Sequence, residues 1–359
     1  MGGVGSYCLA FILLVFGSYC LAQQVTPLPK SVARGVNFPV YVPSLISEEV
    51  ITSETDEMVK DFHLEWVSLE LLWHQEDIHS NVVTSSEETP SSEWIAQYVK
   101  QVKKRNLKLL IKPIITLPSN ASVYITPSNV TAWFESYTKM VLSLAQTCQE
   151  NNVEALAVGL EIPFVAVPIN NRNEWISLIA KVRKIYSGKL TYAALYTREY
   201  PKIPFWDALD WIGIEAYWPL ANETNINPSI PDMVNYFTNA FEEVKQWKQS
   251  NVTTRDKPLY FTELGYPSLK TAAIYPTVFP TRLEGCRGNF SPDFELQAKC
   301  YSALFSTLPK YSDVISGLFI FSWDNPSTAD YYPTGPLWAC FYSPRGKPAY
   351  EIISQAYGT

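Results

Sequence analysis

The chain has 359 residues, 47% of them hydrophobic and 14% aromatic, with a formal net charge of −7. That length accommodates one large barrel or two ordinary domains, and the apolar content excludes a disordered chain. The acidic balance speaks against nucleic acid or an anionic membrane as a partner, because both require basic patches.

Residues 1–22, MGGVGSYCLAFILLVFGSYCLA, read as a secretory signal peptide. An apolar core spans 9–16, and small residues lead to cleavage after Ala22, although the first residues carry no Lys or Arg. The run is too short and interrupted to span a membrane, and no other stretch approaches one. A secreted, extracellular protein with no membrane partner after cleavage is expected. Asn-X-Ser/Thr sequons at Asn120, Asn129, Asn222, Asn251 and Asn289 agree, as glycosylation sites of a eukaryotic secretory route. Cys8 and Cys20 leave with the signal. Cys148, Cys286, Cys300 and Cys340 remain, and four thiols allow three full pairings among which sequence does not choose.

Residues 30–359 contain no linker, charge block or internal repeat and are read as one domain. Eight strand-like runs follow in order: 32–40, 64–73, 107–116, 153–162, 190–196, 209–218, 259–266 and 315–323. Several are apolar at nearly every position, the pattern of parallel strands covered on both faces. Amphipathic helix-like segments separate them, such as SSEWIAQYVKQVKKRN and IPDMVNYFTNAFEEVKQWKQS. Between the fifth and sixth runs only PKIPFWDAL fits a short helix. Eight β-then-α units predict an α/β fold, the single-domain (β/α)8 TIM barrel. The rival, an open doubly wound sheet, lacks the Gly-rich phosphate loop that would support it.

In such a barrel the strand ends at the C-terminal face build the active site. Two runs finish on a Glu followed by a turn: ALAVGLEIPF at Glu161 and LYFTELGYPS at Glu263. Period-two alternation puts Gly159 on the face of Glu161, and Phe261 on the face of Glu263. The fourth and seventh strands lie across the mouth, so the two acids can face one another. Paired carboxylates suit glycosidic-bond cleavage, one protonated to assist the leaving oxygen and one ionised to meet the anomeric carbon.

With Glu at the ends of strands four and seven, the eightfold pattern resembles the clan of retaining (β/α)8 glycoside hydrolases. More narrowly, RGVNFP, VGLEI, WIGIEAYWPL, FTELGYPS and FSWDNP resemble glycoside hydrolase family 113, the β-mannanases, over about residues 32–357. The resemblance implies Glu161 as acid/base and Glu263 as nucleophile in a double displacement on a β-1,4-linked polysaccharide or oligosaccharide. Retention implies carboxyl groups roughly 5–5.5 Å apart. The apolar setting of Glu161 would raise its pKa, and hydrogen-bonding neighbours would hold Glu263 ionised. Tyr217 would reach the nucleophile, as in many clan members, and Trp323 would provide the aromatic floor at the cleavage point. The sequence departs from the clan at Leu160, where many members carry an Asn that binds the 2-hydroxyl.

Further candidates come from the residues themselves. Asn37 and Lys112 are read as hydroxyl-binding groups, and Trp73, Trp218 and Trp338 as stacking faces for sugar subsites. Glu215 is a spare carboxylate. The loops after strands seven and eight neighbour one another in a barrel, so a Cys286–Cys340 disulfide is expected, with Cys148 and Cys300 as buried thiols. His63, His74 and His79 lack metal-ligand spacing and no Gly-X-Ser-X-Gly elbow occurs, so neither a metal, a cofactor nor serine-hydrolase chemistry is expected. A monomer is expected. The competing readings are a β-glycosidase of the same clan with another sugar preference, and a catalytically silent carbohydrate-binding barrel.

Overall fold

A computed structural model of the chain describes residues 25–118, 122–333 and 335–358. The signal segment and Asn120 lie outside the described residues. The strands are β1 (Ala33–Val40), β2 (Trp66–Gln75), β3 (Lys108–Thr116), β4 (Ala155–Leu160), β5 (Lys189–Leu195), β6 (Ile212–Glu215), β7 (Leu259–Leu264) and β8 (Gly317–Ile320). Neighbours pair in parallel in chain order, and β1 pairs with both β2 and β8. The sheet is therefore a closed eight-stranded barrel. A two-residue arm, Val83–Thr84, adds antiparallel to His74 and Gln75 at the end of β2.

The helices that coat the barrel are α1 (Glu48–Asp61), α2 (Ser92–Lys104), α3 (Val130–Glu150), a single turn α4 (Pro163–Ala166), α5 (Arg172–Arg183), α6 (Ile230–Ser250), α7 (Phe294–Thr307) and α8 (Pro348–Tyr357). Their starts follow from local chemistry. Ser47, Ser91, Asn129 and Asp293 each accept a first-turn N–H, and Ser229 forms a reciprocal capping box with Asp232. Between β5 and β6, where Pro201 and Pro204 deny helical hydrogen bonds, only the short 3-10 turns Tyr200–Lys202 and Trp206–Ala208 form.

The barrel interior is graded. Trp66, Leu110, Ala155, Trp211 and Phe319 form an apolar cluster near the N-terminal ends of the strands, with the Trp211 and Tyr260 rings stacked 4.3 Å apart. Further along the same inward-facing rows come Asn37, Glu70, Lys112 and Glu215, all buried. An apolar plug thus closes the bottom, and charge is concentrated at the C-terminal mouth.

Both strands that lead to the candidate acids are irregular. The β4–β5 register shifts between Ala157 and Leu160, and the β7–β8 register shifts between Phe261 and Leu264. Strict alternation therefore fails at both places. Gly159 turns toward the helix layer, where an added Cβ would meet Tyr192 Cε2 at 2.8 Å. Phe261 likewise packs outward on Phe241 of α6, at 5.3 Å between ring centroids. Neither shares a face with its neighbouring acid. Such a bulge inserts one residue, bends the strand and re-aims the side chain beyond it.

Candidate active site

Lys112 is the hub of the mouth. Its Nζ donates to Glu263 Oε1 and, at 3.3 Å, to Glu215 Oε1, and it lies 3.2 Å from Glu70 Oε1. Burial alone would depress this ammonium, but the Glu215, Glu263 and Glu70 charges outweigh that effect and hold it above the usual lysine range. Lys112 is fully buried, so it binds carboxylates rather than the sugar hydroxyls expected from sequence.

Glu263, 7% exposed, is clamped from two sides. Tyr217 Oη donates to its Oε2 at 2.6 Å, and Lys112 holds the other oxygen. Burial, and then the Glu263 charge, push the Tyr217 hydroxyl well above the usual tyrosine range, so it stays a proton donor. Glu215 accepts from the Thr262 hydroxyl at 3.1 Å and is completely buried beneath. Burial and the Glu263 charge also raise Glu215 and Glu70 far above the usual carboxylate range. Glu215 is therefore part of the support under Glu263 and offers no surface to a substrate.

Glu161 stands one residue beyond β4, half-buried, with a left-handed backbone at φ +46°. Among the described residues its carboxyl makes no hydrogen bond or ion pair. Burial, followed by the charges of Glu263 and Glu199, raises it to about 8, with Lys112 opposing. Two carboxyls of one mouth thus differ sharply in environment: Glu263 is held by two donors, while Glu161 is desolvated and bare.

Several sequence candidates lie elsewhere. Asn37 is fully buried and donates to the Thr262 and Phe319 carbonyls at 3.1 and 3.3 Å, tying strands together below the acids. Trp323 is 1% exposed and turned away from the mouth. Its Nε1 donates to Glu54 Oε2 at 2.8 Å, and the Arg345 guanidinium covers its ring at 4.7 Å. Phe321 stands beside the mouth in its place, half-buried, its ring 6.1 Å from Tyr217 and 5.1 Å from Tyr342. Trp73 lies opposite in parity to the inward Glu70 and packs in the core. Trp218 packs against Phe241 and Phe261, and Trp338 donates to the Arg345 carbonyl and contacts Phe294. Trp73 and Trp323 are thus packed away, whereas half-buried Trp218 also meets, at 5.9 Å, the Tyr196 ring on which the Glu161 charge acts.

Further aromatic surface at the C-terminal face comes from residues that sequence reasoning passed over. A cavity of about 320 Å³ is lined by Tyr41, Ile115, Leu117, Phe279, Tyr331 and Phe341. The Tyr331 and Phe341 rings stack at 3.7 Å, and the charges of Glu70, Asp324 and Glu263 all act on the Tyr41 hydroxyl. Glu70 had a readable signal, an acid in the inward row Ser68–Glu70 of a nearly apolar strand. The aromatic loop residues had none, because loop paths are not written in periodicity.

Cys286 is bonded to Cys340, joining the loops after β7 and β8, while Cys148 and Cys300 are buried thiols. Arg282 pairs with Asp330 across the same two loops. Asn129, Asn222 and Asn289 are exposed and Asn251 is half-buried. At Asn222 and Asn251 the side-chain oxygen accepts from both the N–H and the hydroxyl of the sequon Thr.

The chain is thus a closed (β/α)8 barrel with Glu70, Glu161, Glu215 and Glu263 gathered at its C-terminal mouth, a scaffold that hosts many chemistries. The sequence model of Glycoside Hydrolase Family 113 matches residues 47–334, and the chain belongs to that family of glycoside hydrolases. Among solved structures it is similar to a GH113 beta-1,4-mannanase at 22% identity, covering 94% of this chain and 99% of that one, with a TM-score of 0.72. It is also similar to the GH113 beta-mannanase AaManA from Alicyclobacillus acidocaldarius, at 21% identity, 91% and 96% coverage and a TM-score of 0.69. A beta-glucuronidase of Ruminococcus gnavus shares the fold at 12% identity and a TM-score of 0.53, over 81% of this chain and 43% of that one. No curated protein matches by sequence.

Proposed function

We propose that the protein is a secreted, retaining endo-β-1,4-mannanase in which Glu161 is the acid/base and Glu263 the nucleophile. The observation that carries this reading is the contrast between the two acids. Tyr217 and Lys112 fix both oxygens of Glu263, while burial keeps the Glu161 proton in place at neutral pH. In the first step Glu263 would attack the anomeric carbon as Glu161 protonates the departing oxygen. In the second, ionised Glu161 would take a proton from water as that water displaces Glu263, giving net retention. Loop aromatics such as Tyr331 and Phe341 supply flat apolar faces suited to sugar rings. The mannan preference follows the resemblance to the two solved GH113 beta-mannanase structures. Export rests on the character of residues 1–22 and on the sequons.

The test is hydrolysis of mannan, glucomannan and cellulose by wild type beside Glu263→Gln, with proton NMR of the first-formed anomer. Turnover on a β-mannan that the variant lacks, with β-anomer formed first, is the expected outcome. Wild-type turnover no faster than the variant on every substrate would instead identify a silent carbohydrate-binding barrel. The α-anomer first would refute retention.

A further inference from the structure

Glu161 occupies a backbone region that non-glycine residues avoid, at φ +46°. Such a conformation persists only where the surroundings over-determine it. Here two successive N–H groups are tied to β5. The Glu161 N–H donates to the Ala193 carbonyl at 3.0 Å, and the Ile162 N–H donates to Tyr192 Oη, also at 3.0 Å. Tyr192 Oη in turn donates to Glu199 Oε1 at 2.6 Å, and the Leu195 N–H donates to Glu199 Oε2 at 2.6 Å. Glu199 is 1% exposed, and the Tyr192 ring is wedged between Trp175 and Phe205.

We propose that Glu199, acting through Tyr192, is a positioning residue that fixes the turn at Glu161 and aims its carboxyl into the mouth. This rests on the acid/base reading of Glu161. A carboxylate is required at position 199 because both of its oxygens must accept. A glutamine there would present an NH2 to one of two donors and lose that bond. The chain from Ile162 N–H to Tyr192 O–H to Glu199 runs in one donor direction, so each bond polarises the next.

The same carboxylate also acts by charge. The titratable groups around Glu161 are Glu263 on β7, Glu215 on β6, Lys112 on β3, Tyr196 after β5, Tyr342 after β8, and Glu199 behind the turn. Lys112 favours the ionised form of Glu161, while Glu263 and Glu199 oppose it. Burial raises Glu199 to about 7, while the bonds from Tyr192 and the Leu195 N–H favour its ionised form.

The experiment compares wild type, Glu199→Gln and Tyr192→Phe in kcat/KM against pH on mannan and on an aryl mannoside with a highly acidic leaving phenol. Glu199→Gln should move the alkaline limb down by about 0.5–1 pH unit. It should also lower kcat on mannan about 10-fold or more, with KM little changed, and have far less effect on the aryl substrate's glycosylation step, which needs little proton assistance. Tyr192→Phe keeps the charge, so it should lower kcat with a smaller shift of the limb, and it carries the test where Glu199→Gln does not fold. An unmoved limb in Glu199→Gln, or equal losses on both substrates in correctly folded variants, would overturn the proposal. Carbon-13 carboxyl NMR, with Glu161→Gln for assignment, reads the Glu161 midpoint without turnover. If wild type cleaves no glycan, a midpoint lowered in Glu199→Gln would uphold the link from Glu199 to Glu161 and discard the acid/base reading. An unmoved midpoint would overturn the positioning as well.

Discussion

Tyr217 Oη lies 2.6 Å from Glu263 Oε2, so the residue two beyond β6 grips the acid of β7 from the side opposite Lys112. A hydrogen bond to a charged group is worth about 1.5–3 kcal/mol. Tyr217→Phe removes that donor and leaves the ring in place. We expect kcat/KM on mannan to fall about 10–100-fold, with the melting temperature changed by only a few degrees. Steady-state kinetics beside a thermal melt would check this, and unchanged kinetics would show that Lys112 alone holds Glu263.

Glu161 titrates near 8, so kcat/KM should fall as pH rises through that value, when the acid loses its proton. Stability should follow the same group. Below the unfolded pKa of about 4.3 both states hold the proton and no penalty exists. Between about 4.3 and 8 only the folded state holds it, so the penalty to folding grows with pH and is constant above. Glu161→Gln should therefore gain stability over wild type progressively across that window, while losing most activity. Urea unfolding at pH 4 and pH 8.5 would detect it; an equal difference at both would contradict the raised value.

Lys112 is the buried cation shared by Glu70, Glu215 and Glu263. Lys112→Met strands those acids without compensation. Breaking a buried charge pair costs about 3–5 kcal/mol, a large part of a typical folding free energy. The variant should unfold at markedly lower urea and show no measurable turnover. Near-native stability would mean that Glu263, like the raised Glu70 and Glu215, takes up a proton in the variant and needs no cation.

Trp323 and Phe321 should separate cleanly. Trp323→Phe loses the bond to Glu54 and should cost about 1–3 kcal/mol of stability, with KM unchanged. Phe321→Ala should raise KM for manno-oligosaccharides about 3–10-fold, the worth of one aromatic contact. Measuring both quantities for both variants would expose a reversed assignment.

The eight strands were legible because parallel strands buried on both faces, such as LKLLIKPIIT and VEALAVGLEI, must be almost continuously apolar. The boundaries of β6 and β8 were read too long, since residues such as Tyr217 and Trp323 continue the composition after the pairing has stopped. The bulges in β4 and β7 leave no compositional trace, so the side-chain alternation read toward Glu161 and Glu263 was misplaced. Trp323 illustrates a related limit: a strand-end tryptophan suits a sugar face or a hydrophobic shelf equally, and only the position of Glu54 and Arg345 decides. Glu199 was invisible because its partner Tyr192 is seven residues away, across a turn that reverses at Arg198, φ +59°.

The link between Cys286 and Cys340, 54 positions apart, encloses α7 and β8 in a covalent hoop. That hoop holds the helix of the seventh unit and the strand of the eighth, which pairs with both β7 and β1. In the chain-entropy picture a ring of this size removes about 4 kcal/mol of freedom from the unfolded chain. The tie therefore strengthens the junction of β7 with β8, while the closing seam between β8 and β1 is held by its strand pairing. Reduction would return the β7–β8 junction to the same footing as the other seven.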